Sequence, residues 1–399
     1  MKRSNRKGFT IVELVIVIAV VAILTAVLIP TFGGIIEKAN ASADEQTVYQ
    51  MTTALEIEGN PENLDAALEA LEKNGIKLEA LIPLSAGYSY VWNDQTKKIE
   101  FVKTSETTLK PIGVAVKSAA DLAAAFNNGA KYVKLDSNIT VGQSITISGA
   151  DGTLDLNGKT IAVNTGAKVR PITIAEGSEV VITNGNIVNT FAGTYGVCDN
   201  YGTLTLNNIN FSEGEGDNGA AFKNNTGGKM YVNGGSYSIT HANGNQVFRN
   251  HQDCTDNYLE INSATITSSS TTNYPLFVRS GEAKINGGSI YGTMGAINLN
   301  AGKLTIDGGE FVNTNANAGD YYAIYVNNAF GDSVLEVLSG TFTGKNYDVF
   351  IGDDDGLGGE VIDNYTISVT INAGVVLAKG NLHVRNGGEQ GNVTVTDKR

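Results

Sequence analysis

Residues 204–211 read LTLNNINF, and they decide the fold because eight other segments of the chain repeat their pattern. The shared pattern is L-x-I-N-G-G-x-I, in which positions one, three and eight are almost always apolar and position four is usually Asn. Apolar residues at alternating positions are typical of a strand that buries one of its faces. The nine copies begin at residues 154, 180, 204, 230, 259, 283, 304, 335 and 369.

The spacing of these copies indicates which repeat fold they build. Their starts lie 21 to 34 residues apart, with a mean of about 27, while the eight-residue unit keeps its length. This pattern fits constant strands joined by variable loops. A propeller blade needs about 40–45 residues, leucine-rich repeats need a fuller leucine pattern, and hexapeptide helices need a regular period. The repeat therefore predicts an all-β solenoid of nine rungs, with one copy in each rung.

Each unit is followed by a second short strand, as at Ala220–Lys223, Gln246–Arg249 and Leu276–Arg279. With this second strand, residues 112–399 resemble the pectate-lyase-like superfamily, and the resemblance implies a right-handed parallel β-helix. We expect positions one, three and eight to stack inside the coil. We also expect the Asn at position four to take a left-handed conformation and to bond from rung to rung. A capped helix at residues 118–128 should close the first rung.

The N-terminus is the second informative stretch, because a basic segment precedes a long apolar run. Four cations and no acid precede Gly8, which favours a cytoplasmic N-terminus, and the run from Leu14 to Ile29 is broken only by Thr25. The 24 residues from Phe9 to Phe32 would span about 36 Å as a helix, which is enough to cross a bilayer. Glu13 lies in this segment without a cation, and an unpaired carboxylate there costs about 2.5–3.5 kcal/mol.

The sequence KGFTIVE at residues 7–13 resembles the N-terminal signal of type IV pilins and pseudopilins. The resemblance implies cleavage by a prepilin peptidase between Gly8 and Phe9, methylation of the new N-terminal Phe9, and assembly with other pilin subunits. It also supplies a partner for Glu13, since the freed amine of Phe9 in a neighbouring subunit can pair with this carboxylate. The alternatives are a plain single-pass anchor and a secretory signal. A secretory signal ends in a small-x-small site, whereas this run ends LIPTF at residues 28–32.

The pilin resemblance and the repeat together divide the chain into five parts. We expect an α+β pilin-like N-terminal part followed by the all-β solenoid. The parts are a leader peptide at residues 1–8, an assembly and transmembrane helix at 9–58, a small head at 59–103, a linker at 104–111 and the parallel β-helix at 112–399.

Local signals predict the structure of the small head. A second helix should begin with Asn60 as its N-cap and Pro61 as its first residue, and should stop at Asn74-Gly75. Alternating apolar residues on both sides of a turn-rich centre predict a β-hairpin that joins residues 88–92 to residues 97–102. A long helix followed by a small antiparallel sheet again resembles a compact pilin head.

Charge and cysteine usage exclude some partners. The chain has 28 Lys and Arg against 41 Asp and Glu, and cleavage after Gly8 would leave 24 against 41, a formal net charge of −17. An acidic chain lacks the basic footprint of nucleic-acid binding, so no nucleic-acid partner is expected. Cys198 and Cys254 match no metal spacing; they either form one disulfide outside the cell or remain two unpaired residues. Neither a cofactor nor a metal is predicted.

Three cations are the main binding candidates in the solenoid. Lys223, Arg249 and Arg279 each end a second strand, so we expect them to form a ladder on one face. Such a ladder could grip an anionic glycan, because Lys and Arg bind carboxylates. The alternative is a surface ladder balanced by neighbours such as Asp199 and Asp253.

Other chemistry-bearing residues carry weaker signals. The acidic clusters Glu213–Asp217 and Asp353–Asp355 suit solvated turns better than a calcium site, because neither has EF-hand spacing. His251 with Cys254 suggests a nucleophile pair, but no oxyanion or orienting motif accompanies it. Tyrosines that enter the second strands could stack on sugars: Tyr195, Tyr274, Tyr322 and Tyr347.

Together these features predict a minor pilin-like protein that is first inserted in the inner or cytoplasmic membrane. It would then reach the cell surface in a type IV pilus-like filament and display the solenoid for adhesion or glycan recognition. We expect no enzyme activity. The alternatives are a surface-attached polysaccharide lyase or hydrolase, which would use the same face of the solenoid, and a pseudopilin of a secretion or DNA-uptake system.

Overall fold

The computed structural model describes residues 10–149, 151–166, 168–191, 193, 195–214, 219–252, 254, 256–316, 322–352, 365–385 and 393–399. These residues form two compact units, one ending at Ile112 and the other beginning at Gly113. Each unit buries its own set of apolar side chains.

The first unit is a long helix with a small head. Its elements are the helices α1 (Ile11–Ile57) and α2 (Leu64–Lys73), the antiparallel strands β1 (Tyr88–Asn93) and β2 (Lys98–Lys103), and two short 3-10 helices, Leu78–Leu81 and Thr104–Glu106. The predicted hairpin is therefore confirmed.

The predicted C-terminal end of α2 is confirmed, and its predicted N-terminal end is wrong. Asn74 is the C-cap and Gly75 follows it with a φ of 77°, as predicted. The predicted N-cap at Asn60 is wrong, because the side chain of Asn63 accepts the first bond of α2, from the backbone N–H of Ala66 at 2.9 Å. Asn60 instead finishes α1, with a φ of 57° and its N–H donating to the Leu55 carbonyl at 2.8 Å.

Two segments of α1 have different surroundings. The N-terminal segment is long and apolar enough to cross a membrane, with a mean hydropathy of 3.1 over its best window, and none of that window is buried in the protein. Its side chains are exposed from Ile11 to Ile36. The C-terminal segment packs on the head and buries Asp44, Met51, Ala54 and Leu55.

Asp44 ties α1 to the head. This carboxylate is 2% exposed, and it accepts hydrogen bonds from the backbone N–H groups of Leu84 and Ser85 at 2.8 and 2.9 Å. The Tyr90 hydroxyl also donates to it, at 3.1 Å. A buried carboxylate costs free energy unless such donors surround it, so the loop before β1 is built around Asp44.

Replacing Asp44 by alanine should destabilise the first unit. The change leaves the backbone N–H groups of Leu84 and Ser85 without their acceptor, and each such loss costs about 1–3 kcal/mol. Hydrogen exchange at the amides of Leu84 and Ser85 should accelerate at least tenfold. Glu45→Ala, at the exposed neighbouring position of the same helix, is the matched control. Equal exchange rates in the two variants would contradict the anchoring role of Asp44.

The second unit is almost entirely parallel β-structure. In chain order its elements are β3 (Gly113–Val116), α3 (Ala119–Asn127), β4 (Tyr132–Leu135), β5 (Ile139–Val141), β6 (Ile145–Ile147), β7 (Asp151–Asp155), β8 (Thr160–Val163), β9 (Ile172–Ile174), β10 (Glu179–Asn189), β11 (Cys198–Asn200), β12 (Thr203–Glu213), β13 (Ala220–Asn224), β14 (Lys229–Ile239), β15 (Gln246–Asn250), β16 (Tyr258–Ser268), β17 (Leu276–Val278), β18 (Glu282–Ile285), β19 (Ser289–Gly292), β20 (Ile297–Leu299), β21 (Gly302–Asn313), β22 (Tyr322–Val326), β23 (Ser333–Thr343), β24 (Tyr347–Gly352), β25 (Ile367–Leu377), β26 (Leu382–Arg385) and β27 (Val393–Asp397).

These strands form two sheets, which we call the long sheet and the short sheet. The long sheet has fifteen strands and follows the order β27-β25-β23-β21-β18-β16-β14-β12-β10-β7-β4-β3, with β5, β8 and β19 beside this path. The short sheet has ten strands in the order β26-β24-β22-β20-β17-β15-β13-β11-β9-β6. Successive turns of chain thus add one strand to each sheet, which confirms the β-solenoid. Its right-handed sense stays a prediction, in line with the usual hand of parallel crossovers.

The repeat sets the register of the long sheet. From the second copy onward the first positions lie opposite one another, at Val180, Leu204, Met230, Leu259, Ala283, Leu304, Leu335 and Val369.

The predicted boundaries of the first and last copies are wrong. Leu154 lies opposite Ile182, which is a third position, because the turn after β7 holds two extra residues. At the other end Phe342 lies opposite Leu377, so Val376, the predicted eighth position, is 53% exposed.

The described coil is longer than the nine predicted rungs. Strands β3 and β4 precede the first copy in the long sheet and β27 follows the last, so twelve strands lie along its main path. These three strands lack the Asn-Gly turn that marks the repeat. At about 4.8 Å between strands, twelve rungs span about 53 Å.

The bend in the middle of each long strand explains the Asn of the repeat. Amides at position four bond from rung to rung, as predicted: Asn233 donates to Asn207 at 2.9 Å, Asn262 to Asn233 at 2.8 Å and Asn286 to Asn262 at 2.6 Å. The left-handed residue, however, lies one position later. Asn208 has a φ of 52° and Gly234 a φ of 83°. The prediction of a left-handed residue at position four is therefore wrong in these copies, whereas it is confirmed in the first copy, where Asn157 has a φ of 50°.

The interior of the coil is a continuous apolar column. Positions one, three and eight are buried in nearly every copy, as predicted. The short sheet contributes Phe222 and Phe248, whose rings stack 5.5 Å apart. Helix α3, capped by Ser118 as predicted, covers the first rungs and buries Leu122 and Phe126 in the same core.

Candidate functional site: a cationic face on the short sheet

The outer face of the short sheet carries a column of charged side chains. Asp199 on β11, Lys223 on β13 and Arg249 on β15 lie opposite one another in register. Lys223 Nζ lies 3.6 Å from Asp199 Oδ1. The outward position of each strand therefore brings one acid and two bases together, which confirms the first two members of the predicted ladder.

Arg279 is not in this column, so the predicted position of the third member is wrong. Phe277 lies opposite Arg249, and Arg279 follows two residues later, beyond the end of β17. The offset is two residues, because β15 holds two residues, Gln246 and Val247, before Phe248, which lies opposite the first residue of β17. The side chain of Arg279 still comes back to the face, with its guanidinium 4.6 Å from the ring centre of Phe277 and 4.9 Å from that of Phe330.

Arg170 is a fourth cation at this face, and the sequence reasoning missed it. Its side chain is only 7% exposed, and its Nη1 lies 3.8 Å from Asp199 Oδ1. Its Nε donates to the Ala220 carbonyl at 2.7 Å. Because Arg170 lies just before β9, outside any repeat unit, the repeat gave no signal for it. We call Arg170, Lys223, Arg249 and Arg279 the cationic cluster.

Within the described residues, ion pairs compensate only part of the positive charge in this cluster. Asp199 is the acid that forms such pairs with its members, and the predicted neighbour Asp253 lies outside those residues. Burial, followed by the charges of Arg170 and Arg279, lowers the pKa of Arg249 to about 9. Burial and the cluster's four cations also lower the pKa of His251 to about 4, so that this imidazole is neutral at pH 7.

Two guanidinium groups of the cluster have unused donors. Arg249 Nη1 donates to Gln246 Oε1 at 3.3 Å, and Arg279 Nη1 donates to Gln252 Oε1 at 2.8 Å. In the part of the chain that the structure describes, the buried Nε atoms of both arginines have no hydrogen-bond partner, and neither has Nδ1 of His251. Buried donors without acceptors are costly, so this face is arranged to receive acceptors.

Aromatic side chains continue the column beyond Arg249. Phe277, Tyr325 and Phe350 occupy its outward positions with Asn298 between them, and they pack with Tyr274. The sequence analysis named Tyr274 of this cluster but did not predict the outward column of Phe277, Tyr325 and Phe350.

The four tyrosines predicted to stack on sugars differ in their exposure. Tyr274 is 3% exposed and therefore unavailable, whereas Tyr195 is 39% exposed, with the Arg170 guanidinium 5.9 Å from its ring. Tyr322 and Tyr347 are partly buried against the aromatic cluster.

The two cysteines are free and buried, so the alternative of two unpaired residues holds and the disulfide does not. Burial raises the pKa of the Cys198 thiol. Cys254 Sγ accepts a hydrogen bond from the Thr226 hydroxyl at 3.0 Å. The structure therefore ties Cys254 to Thr226 and gives no support to a pair with His251.

Only part of the acidic clusters lies in the described residues. Glu213 is 1% exposed, and the backbone N–H of Asn245 donates to it at 3.1 Å. The side-chain amides of Asn189 and Asn245 donate at 2.8 and 2.9 Å. Glu213 is thus an interior residue, which corrects the expectation of a solvated turn there. Residues 215–217 and 353–355 lie outside the described residues.

Stability should fall as pH rises, because of Glu213. Burial raises the pKa of this carboxyl, so the folded chain keeps a proton that the unfolded chain loses near the ordinary glutamate pKa of about 4.5. Between these two pKa values the free energy of unfolding should decrease by up to about 1.4 kcal/mol per pH unit. Denaturant unfolding at several pH values should show a shallower slope for Glu213→Gln. Parallel profiles for both proteins would contradict the assignment.

The start of α1 supplies Glu13 with local partners. The backbone N–H and the hydroxyl of Thr10 donate to Glu13 Oε2 at 2.8 and 2.7 Å, and Thr10 Oγ1 accepts from the Glu13 N–H at 3.2 Å. This reciprocal arrangement is a capping box. The predicted cleavage pair, Gly8 and Phe9, lies outside the described residues.

Comparison with known proteins addresses this same segment. Residues 3–29 match the prokaryotic N-terminal methylation motif. The N-terminal segment is type IV pilin-like. Three type IV major fimbrial proteins named FimA, all from Dichelobacter nodosus, are 41% identical to the chain over 54 residues.

The pilin-like segment is a small part of the molecule. The match covers 14% of this chain and 34–35% of each FimA, so the chain spans about a third of the length of these relatives. No solved structure matches the chain. The solenoid is thus described by its own geometry alone.

Proposed function

We propose that the chain is a minor subunit of a type IV pilus-like filament and displays the solenoid at the cell surface. The precursor is anchored in the membrane by the apolar part of α1, and a prepilin peptidase cuts it between Gly8 and Phe9. Other pilin subunits then pack against the same helix. The methylation motif, the similarity to FimA and the unburied apolar surface of α1 support this role. A large solenoid would crowd a filament made of identical subunits, which favours a minor one.

The solenoid then serves adhesion by binding an anionic glycan at the cationic cluster. The observation that carries this proposal is a partly buried group of four cations with unused donors on an acidic protein. Such a group gains more from an anionic ligand than from water, because burial already costs its members their hydration. A surface ladder balanced by acids would need more than the one carboxylate, Asp199, that forms ion pairs with the cluster in the described residues.

We propose binding without turnover. Glycoside hydrolysis uses two carboxyl groups about 5–10 Å apart. Asp199, beside the cluster, is engaged by Arg170 and Lys223, and Asp332, near Arg279, accepts hydrogen bonds from the backbone N–H and the hydroxyl of Thr366. A lyase or hydrolase on this face is the rival. Incubating the full chain with hyaluronate or chondroitin sulfate and assaying new reducing ends and unsaturated products distinguishes the two, and product formation would favour the enzyme.

The Arg249→Gln substitution should weaken binding of the full chain to acidic polysaccharides by about tenfold, because a charged donor is lost. Affinity for hyaluronate and chondroitin sulfate would be measured with detergent-solubilised protein, beside neutral dextran. Lys229→Gln, an exposed position at the start of β14, is the matched control. Equal affinity for dextran, or unchanged binding by Arg249→Gln, would contradict the proposal.

A further inference from the structure

We infer that the cationic cluster is a site for a tetrahedral oxyanion, a sulfate or phosphate group attached to a sugar. This inference rests on the proposed function and specifies its ligand. The unused donors are the Nε atoms of Arg249 and Arg279, both buried and without partners in the described residues. The bonds to Gln246 and Gln252 hold each arginine by Nη1, so within the described residues the edge formed by Nε and Nη2 has no acceptor.

The arrangement of these donors along the coil distinguishes between anions. Lys223, Arg249 and Arg279 belong to three successive rungs, which are about 4.8 Å apart. A carboxylate offers two oxygen atoms whose lone pairs lie in one plane, so it suits one guanidinium edge. A sulfate or phosphate group offers oxygen atoms in several directions and can meet donors from neighbouring rungs together.

The rigidity of Arg279 favours a specific ligand. Its guanidinium lies 4.6 Å from the ring centre of Phe277 and 4.9 Å from that of Phe330, and a hydrogen bond to Gln252 fixes its direction. An arginine held by these contacts loses little freedom on binding, so more of the interaction energy appears as affinity. The cluster is therefore partly preorganised before a ligand arrives.

A groove beside Arg279 can hold the sugar that carries the anion. It has a volume of about 510 Å³, within the usual range of ligand pockets. Its lining includes Arg279, Phe330, Glu282, Lys303 and Asp332. The aromatic ring offers a surface for a sugar face, while the two carboxylates can accept hydroxyl hydrogens and keep the anionic group on the side of Arg279.

Glycines give this groove its depth. Gly281 and Gly302, with φ values of 62° and 84°, lie in its lining, as does Gly331. A Cβ atom on Gly302 would lie 2.4 Å from the Gly281 carbonyl, so a side chain there would both strain the turn and fill the groove. The turn between the two sheets is therefore shaped as a concave surface next to the unused donors.

The test compares chondroitin sulfate with the same polymer after chemical desulfation, which retains its carboxylates. The full chain in nonionic detergent should bind the sulfated polymer at least about tenfold more tightly, and Arg249→Gln with Arg279→Gln should remove this preference. Arg249→Lys keeps the positive charge but lacks the paired N–H donors of a guanidinium, so it should lose part of the preference for the sulfated polymer. The control Lys229→Gln should keep the whole preference. Circular dichroism checks that each variant is folded.

The outcomes separate this inference from the proposed function. Equal binding of both polymers, lost in the double variant, would overturn the oxyanion specificity and leave the acidic-glycan site standing. Absence of binding to either polymer, or binding that the double variant retains, would overturn the proposed function itself. Poly(glycerol phosphate) tests the other source of the group: tighter binding to it than to chondroitin sulfate would identify phosphate as the preferred oxyanion.

Discussion

Replacing Glu13 by alanine should leave membrane insertion and cleavage intact while removing the chain from filaments. Insertion should be easier, since the change deletes the one carboxylate of the apolar segment, which costs about 2.5–3.5 kcal/mol there. Cleavage is expected between Gly8 and Phe9, outside the changed residue. Assembly should fail because the new amine of a neighbouring subunit loses its partner in the apolar bundle. Immunoblots of membrane and sheared-filament fractions measure both steps.

The structure supplies a control that separates two roles of Glu13. In the single chain this carboxylate caps α1 through Thr10, so Glu13→Ala also removes a helix cap. Thr10→Val removes the hydroxyl of the capping box and keeps the carboxylate. It should cost the helix about 1 kcal/mol and still assemble.

Two outcomes of this experiment would change the interpretation. Normal incorporation of Glu13→Ala into filaments would refute its role in assembly. A wild-type chain that is cleaved but never reaches the surface would favour the alternative of a pseudopilin in a secretion or DNA-uptake system.

Gly235→Ala should be among the most destabilising changes in the solenoid. Gly235 lies at the bend of β14 with a φ of 92°, opposite Ile209 of β12. An added Cβ atom would lie 2.1 Å from the Ile209 carbonyl oxygen, which is backbone and cannot rotate away. The left-handed conformation and the forced shift of a strand should together cost about 4 kcal/mol.

Denaturant unfolding of the full chain, followed by far-ultraviolet circular dichroism, measures this loss. Gly214→Ala is the matched control, because a Cβ atom there has no described residue within 4 Å and its φ needs no glycine. If the two variants unfolded at the same denaturant concentration, β14 could accommodate a side chain at its bend, and the prediction for Gly235 would be wrong.

The solenoid could be predicted from the sequence because the same short pattern of apolar residues recurs in each unit. Each unit places apolar residues at alternating positions, and stacking aligns Val180 with Leu204 and Met230 without further information. The rungs formed by β3, β4 and β27 escaped prediction because they lack the Asn-Gly bend. The two-residue insertion after β7 also escaped prediction. It changes which residues of β7 and β10 lie opposite each other, and the sequence alone does not show strand pairing.

The candidate site was harder to predict from the sequence. Lys223 and Arg249 were placed correctly because they lie inside paired strands, whereas Arg279 lies beyond the end of one and was given the wrong position. Arg170 and the groove at Phe330 come from loops, whose paths the repeat does not fix. Asp44 shows the same limit in the head: nothing in its helical surroundings signals the distant backbone donors that hold it.

The stacking of rungs has a mechanical consequence for a protein displayed outside the cell. Neighbouring rungs are joined by hydrogen bonds directed along the coil, so tension along that axis would detach one rung at a time. Each detached rung releases about 27 residues, or roughly 90 Å of extended chain, from a height of about 4.8 Å. When flow pulls on a ligand bound to the short sheet, the solenoid would thus extend in steps as successive rungs unfold.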